Sequence, residues 1–130
     1  MAVLIDTSVL IDAERRGQSL ERAVGEEARA ISAITVSELL HGVHRATDEP
    51  IRVRRAAFVE HLLASIEALP VTTEVARAHA SVWARLEEKG TPIGAHDLWI
   101  GATALAHGMS VATANAGEFR RIPGLVVAPV

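Results

Sequence analysis

The chain has 130 residues, a formal charge of −3 and no cysteine, which fits one domain burying about two-thirds of its unfolded surface and excludes disulfides, thiolate catalysis and cysteine-ligated zinc. Lys89 is the only lysine, so the positive charge is almost all arginine, a balance that excludes a general polyanion binder but leaves room for local arginine clusters on nucleic acid. No uncharged apolar run nears the ~20 residues of a bilayer span, and Met1 to Asp6 shows no basic stretch before an apolar one, so the expectation is a cytoplasmic protein with no membrane role.

In chain order, Ala2 to Ile5 reads as a buried strand that runs into Asp6-Thr7-Ser8, residues suited to opening a helix. That helix covers Val9 to Glu14 and stops near Gly17. Ala30 to Ile34 is a second apolar run, after which Thr35 opens a helix with Val36, Leu39, Leu40 and Val43 on one face. Ile51, Phe58, Val59, Leu62, Leu63 and Ile66 keep helical spacing after Pro50, and Val75, His79, Val82, Trp83 and Leu86 keep it after Thr72-Thr73. Gly90 closes the latter helix, and a small-residue helix follows from about Ala95 to His107, in which Gly101, Ala102 and Ala104 allow close packing. Val111 to Thr113 and Leu125 to Val127 are the last two strand candidates. Short apolar strands alternating with helices predict a single α/β domain over residues 1–130, a central parallel sheet flanked by helices in three layers.

In such sheets ligands bind beyond the carboxyl ends of the strands, where loops and helix starts leave a crevice. Asp6 follows the first strand directly, Glu38 lies one turn after the second, and Asn115 and Glu118 follow the strand ending at Thr113. Asp97 begins the helix that leads into that strand and can project over the same edge. Two carboxylates about 4 Å apart repel by about 4 kcal/mol at an effective dielectric near 20, so such a cluster calls for a proton or a cation. Oxygen-only ligands favour Mg²⁺ or Mn²⁺ over zinc, and ions of this kind activate water and stabilise the leaving oxygen of a phosphodiester.

These segments resemble a known family. Val3-Leu4-Ile5-Asp6-Thr7-Ser8-Val9-Leu10 is similar to the first strand and turn of PIN domains, and Ile34-Thr35-Val36-Ser37-Glu38-Leu39-Leu40-His41-Gly42-Val43 to their second acidic motif. Asp97 to Gly108 resembles the third motif, and Thr113 to Leu125 the closing segment. The resemblance spans nearly the whole chain, in the expected order, and points to the VapC-type ribonuclease toxins. It implies a PIN fold, Mg²⁺- or Mn²⁺-dependent endoribonuclease activity on RNA of the tRNA or rRNA class, a homodimer, and neutralisation by a cognate VapB-like antitoxin. The candidate catalytic acids are Asp6, Glu38, Asp97 and Glu118, the first three also as metal ligands. Thr7, Ser8, Thr113, Asn115, Arg120 and Arg121 are expected around them or on substrate. Many family members carry an aspartate where this chain has Asn115, which adds no charge, so Glu118 is the expected substitute and one or two metals remain open.

Each acid also has a structural use. Asp6 can cap the first helix; Thr35-Val36-Ser37-Glu38 reads as a capping box in which Glu38 reaches back to the Thr35 amide; Asp97 gains from its place at a helix start. The functional reading therefore rests on their convergence. The six histidines form no ligand set, and Trp83 and Trp99 read as core or interface residues. A haloacid-dehalogenase-like phosphatase needs an aspartate where Ser8 stands, and a receiver domain needs a lysine near the last strands, where Lys89 is misplaced. The alternative is a PIN-like RNA- or protein-binding module with a weakened site, which Asn115 keeps open.

Overall fold

The computed structural model describes residues 1–19, Arg22, Glu27 and 29–130. Five strands form one parallel sheet: β1 (Val3–Ile5), β2 (Arg29–Ser32), β3 (Glu67–Leu69), β4 (Ser110–Thr113) and β5 (Val127–Pro129), in the order β3-β2-β1-β4-β5. The described helices are α1 (Thr7–Arg16), α2 (Ala33–Arg45), α3 (Glu49–Ser65), α4 (Thr73–Lys89), α5 (Ala95–Ala106) and the single turn α6 (Ala116–Phe119). None of them is long and apolar enough to cross a membrane.

Pleating sorts the strands' side chains into two cores, as expected of a sheet covered on both faces. Leu4, Ala30 and Val111 join Val82 and Leu86 of α4, Leu98, Ile100 and Ala104 of α5, and Phe119 and Ile122. Val3, Ile5, Ile31 and Ala112 join Val9 and Leu10 of α1, Leu39 of α2 and Val59 and Leu62 of α3. The chain is thus three-layered, α/β/α.

The structure moves two strand boundaries and adds one strand. The second apolar run is divided: β2 ends at Ser32, and Ala33-Ile34 already belong to α2. The last strand begins at Val127, two residues later than expected, after the Pro123-Gly124 turn and the backbone bond from Leu125 N–H to Ile122 O. Strand β3 had no sequence forecast; its three residues pair with β2 at the sheet edge, and only Leu69 is buried.

The order places the topological switch at β1. One half of the chain crosses from β1 through β2 to β3, and the other returns on the opposite side of β1 as β4 and β5. The carboxyl ends of β1 and β4, in register at Ile5↔Ala112, therefore border the crevice where ligands bind in this architecture.

Candidate active site

Asp6 is the residue directly after β1, is only 3% exposed, and stands at the N-cap position of α1 without a side-chain capping bond. Its carboxylate turns instead towards β4. Oδ2 accepts from Ser8 Oγ at 2.6 Å and from Thr113 Oγ1 at 2.9 Å. Those hydroxyls are themselves oriented, since Ala114 N–H donates to Ser8 Oγ and Asn115 N–H donates to Thr113 Oγ1. A buried carboxylate needs such donors, and α1 and β4 supply them.

Glu38 is not part of a capping box. Ser32 caps α2 by accepting from Thr35 N–H at 3.0 Å, which puts Glu38 on the second turn, beyond reach of the helix's first amides. Its Oε1 accepts from Thr7 Oγ1 at 2.7 Å, and Thr7 Oγ1 also lies 3.0 Å from the buried Thr35 Oγ1. Its Oε2 lies 3.3 Å from His96 Nδ1. Glu38 is thereby tied to α1 on one side and to the start of α5 on the other.

Asp97 occupies the first turn of α5. Its pKa is pushed up to about 7, by burial first, then by a hydrogen bond shared with Glu118, and by the charges of Asp6, Glu118 and Glu38. The three other acids therefore all act on this one carboxyl group. Glu118 arrives from α6, and its Oε1 accepts from Gly94 N–H at 3.3 Å. A side-chain carbon at Gly94 would lie within 4.0 Å of Glu118 Oε2 and Asp97 Oδ2, so glycine there leaves the space beside these acids open. Among the described residues no three histidine, aspartate or glutamate side chains are already arranged to hold a metal ion. The donor chemistry nevertheless fits one: the oxygens are all carboxylate, and burial together with the neighbouring negative charge keeps a proton on Asp97 near neutrality.

A PIN domain family model matches residues 3–125. "Ribonuclease VapC1" of Rickettsia felis is 37% identical over 130 residues, covering 100% of this chain and 97% of the relative. The chain belongs to the VapC ribonucleases of the PIN domain family. Among further relatives, the "tRNA(fMet)-specific endonuclease VapC" of Salmonella typhimurium is 37% identical over 95 residues, 73% of this chain and 70% of that protein. A crystal structure of DNA-bound VapBC from Salmonella typhimurium superposes with a TM-score of 0.89 at 30% identity, covering 99% of this chain and 98% of that one.

In this PIN domain the remaining site residues divide. Thr7, Ser8 and Thr113 hold acids. Asn115 is exposed at the start of α6, where its side chain makes no capping bond. Arg121 Nη1 donates to Pro92 O at 2.8 Å, which fastens the segment between α4 and α5 to the end of α6. Arg120 is exposed beside it. Sequence reasoning passed over His96 and Ser32. The signal for His96 was its place directly before Asp97; for Ser32 it was the polar residue inside an otherwise apolar run.

Proposed function

We propose that the chain is the endoribonuclease toxin of a toxin–antitoxin pair, that it hydrolyses RNA of the tRNA or rRNA class in the cytoplasm with a divalent metal, Mg²⁺ or Mn²⁺, and that it works as a homodimer. The observation that carries the site assignment is Asp97, whose carboxyl group is raised to about 7 by burial first and then by its hydrogen bond to Glu118 and the charges of Asp6, Glu118 and Glu38. Asp6, Asp97 and Glu38 would hold the metal, with Glu118 beside them, and the bound metal would polarise the scissile phosphate and lower the pKa of a water. The protein's own part is orientation and charge. Ser8 and Thr113 fix Asp6, Thr7 fixes Glu38, and Glu118 takes a hydrogen bond from Asp97 through the proton whose place a bound cation would take. A cognate VapB-like antitoxin would neutralise the site by the same chemistry, because a guanidinium satisfies clustered carboxylates through charge-assisted, often bidentate bonds.

The test is cleavage of total RNA by the purified chain, with and without chelator, alongside Glu38→Gln. Cleavage should stop in chelator and return with Mg²⁺ or Mn²⁺. Because Glu38 caps nothing, the glutamine variant should keep its melting temperature and lose about ten- to a hundred-fold in activity, an effect of roughly 1.4–2.7 kcal/mol on the barrier. Binding of RNA without cleavage under any metal would instead favour the PIN-like binding module that Asn115 keeps open.

A further inference from the structure

The first turn of α5 carries Asp97, yet little in its own sequence fixes that turn. Gly90, in the left-handed region at φ 66°, ends α4, and Thr91-Pro92-Ile93-Gly94 then lead into α5 without regular structure. Gly94 stands at the N-cap position with no side-chain capping bond. The turn therefore lacks the local lock that Ser32 gives α2 and Thr72 gives α4. Its holds come instead from the segment that follows β4. Arg121 Nη1 donates to Pro92 O at 2.8 Å, and Glu118 Oε1 accepts from Gly94 N–H at 3.3 Å. The two bonds leave residues three apart on one segment and reach residues two apart on the other, which makes a two-point clamp.

The side that carries Arg121 is itself anchored. Phe119 and Ile122 are buried on either side of the two exposed arginines, and Arg121 N–H and Ile122 N–H donate to Glu118 O and Phe119 O at 3.0 and 3.1 Å. The two points of the clamp differ in kind. Glu118 belongs to the acid cluster and also shares a hydrogen bond with Asp97, so its hold on Gly94 depends on what the acids bind. The Arg121 bond ends on a backbone carbonyl, which neither a proton nor a cation at the acids displaces, and as a charge-assisted bond it is roughly twice as strong as a neutral one. We propose that Arg121 is a positioning residue for RNA hydrolysis: by holding Pro92 O it fixes the start of α5, and so the place of Asp97 within the acid cluster. The proposal rests on the ribonuclease reading and gives this guanidinium a backbone partner in place of a phosphate. Its effect on the chemistry is indirect but large, because a ligand or reacting group misplaced by about 1 Å can cost about a hundredfold in rate, and removing a group that orients a metal ligand typically costs about ten- to a hundredfold in metal affinity or activity.

The experiment compares the full-length parent with Arg121→Met, which keeps the aliphatic stem and removes the donors, and with Arg121→Lys, which keeps a donor on a flexible stem. Three quantities are read: Mn²⁺ affinity by calorimetry, amide exchange at Leu98, whose N–H makes the first bond of α5 to Gly94 O at 3.0 Å, and steady-state cleavage of a short single-stranded RNA. Arg121→Met should weaken Mn²⁺ binding about tenfold and lower kcat about tenfold with KM within about twofold. Exchange at Leu98 should quicken by about the same factor, while that at Val111 in β4 stays unchanged. The lysine variant should recover most of each loss. Arg120→Ala, which removes an exposed charge one residue away, should alter neither Mn²⁺ affinity nor Leu98 exchange. Arg121→Met with parental Mn²⁺ affinity and parental exchange would overturn the proposal. So would a raised KM at constant kcat with a salt slope for RNA binding reduced by about 0.7, the signature of one lost single-strand phosphate contact, since the guanidinium would then sit on substrate. A methionine variant that no longer folds would overturn it as well, because the clamp would then serve the whole fold and not the site. A parent that binds Mn²⁺ but cleaves no RNA would fail the ribonuclease reading, and the affinity and exchange measurements would still decide the clamp.

Discussion

The acid cluster has two unlike halves. Asp6 is buried at the end of a central strand, and two oriented hydroxyls donate to it. Asp97 is half-buried at the start of α5, and its side-chain partner is another acid, Glu118. One half is finished by the fold, and the other is held together by a proton. The contrast teaches that the sheet builds a rigid seat for charge, whereas the helix starts deliver carboxyl groups that share a proton. A site of this kind pairs preorganisation with a deliberate electrostatic deficit.

The largest expected effect breaks both halves in the same way for activity and in opposite ways for stability. Asp6→Asn and Asp97→Asn should each lower cleavage by about 10³-fold, because a lost ligand charge costs several kcal/mol of transition-state stabilisation. In metal-free buffer at pH 8, chemical denaturation should find Asp6→Asn less stable by on the order of 1 kcal/mol, the difference between charged and neutral acceptors of the same bonds. Asp97→Asn should be more stable than the parent. Equal and same-signed stability changes would erase the distinction between the halves.

Thr113→Val tests the rigid half through its donor. It removes a bond to Asp6 and leaves the Asn115 amide without its acceptor, so unfolding free energy should fall by about 1–3 kcal/mol, with activity reduced as Asp6 loses its orientation. A variant as stable as the parent would mean that the hydroxyl is dispensable to the fold.

The pH dependence of the metal-free protein sharpens the other half. In the unfolded chain Asp97 ionises near 3.8, whereas in the folded protein it holds its proton up to about 7. Between those values the folded state binds the extra proton, so stability contributed by this group must fall as pH rises from about 4 to about 7 and level off above. Denaturation in chelator at several pH values should show that decline, and Asp97→Asn should flatten it. Metal affinity should rise over the same interval, as the competing proton leaves.

The smallest effect lies beneath α5. A side-chain carbon at Gly101 would collide with the end of the buried Ile122 side chain, so Gly101→Ala should cost about 1–3 kcal/mol in repacking, offset by about 1 kcal/mol of helix propensity. A net loss of roughly 1 kcal/mol, read as a small drop in melting temperature, is expected, with cleavage affected less than in the other variants.

Much of this was legible in the residues. Asp6, Glu38 and Asp97 stand where strand ends and helix starts of a parallel sheet must place them, so position alone nominated them. The close packing at Gly101 followed from a run of small residues. What stayed hidden was local competition. Ala30 to Ile34 is apolar but for Ser32, and periodicity could not show that this residue, buried and polar, would end the strand and cap the helix. That one residue decides whether Glu38 is a cap or a site residue. Glu67-Ala68-Leu69 is too short and too exposed to signal a strand, and only pairing with β2 makes it one. His96 was set apart from five other histidines only by its place before Asp97, and its contact with Glu38 came to light once α5 and α2 were brought together.

The central place of β1 carries a consequence for synthesis. Asp6 emerges from the ribosome almost at once, but the hydroxyl that orients it belongs to Thr113, 107 residues later, and β1 pairs with β4 at the same separation, Leu4↔Val111. Contacts so distant in sequence form late and slowly. A nascent chain that has made α1, β2 and α2 holds Asp6 and Glu38 without the donor from β4, and without Asp97 until about three-quarters of the protein has been translated. Messages interrupted before β4 therefore yield fragments with no assembled cutting centre, and the cell meets the nuclease only as a nearly completed polypeptide.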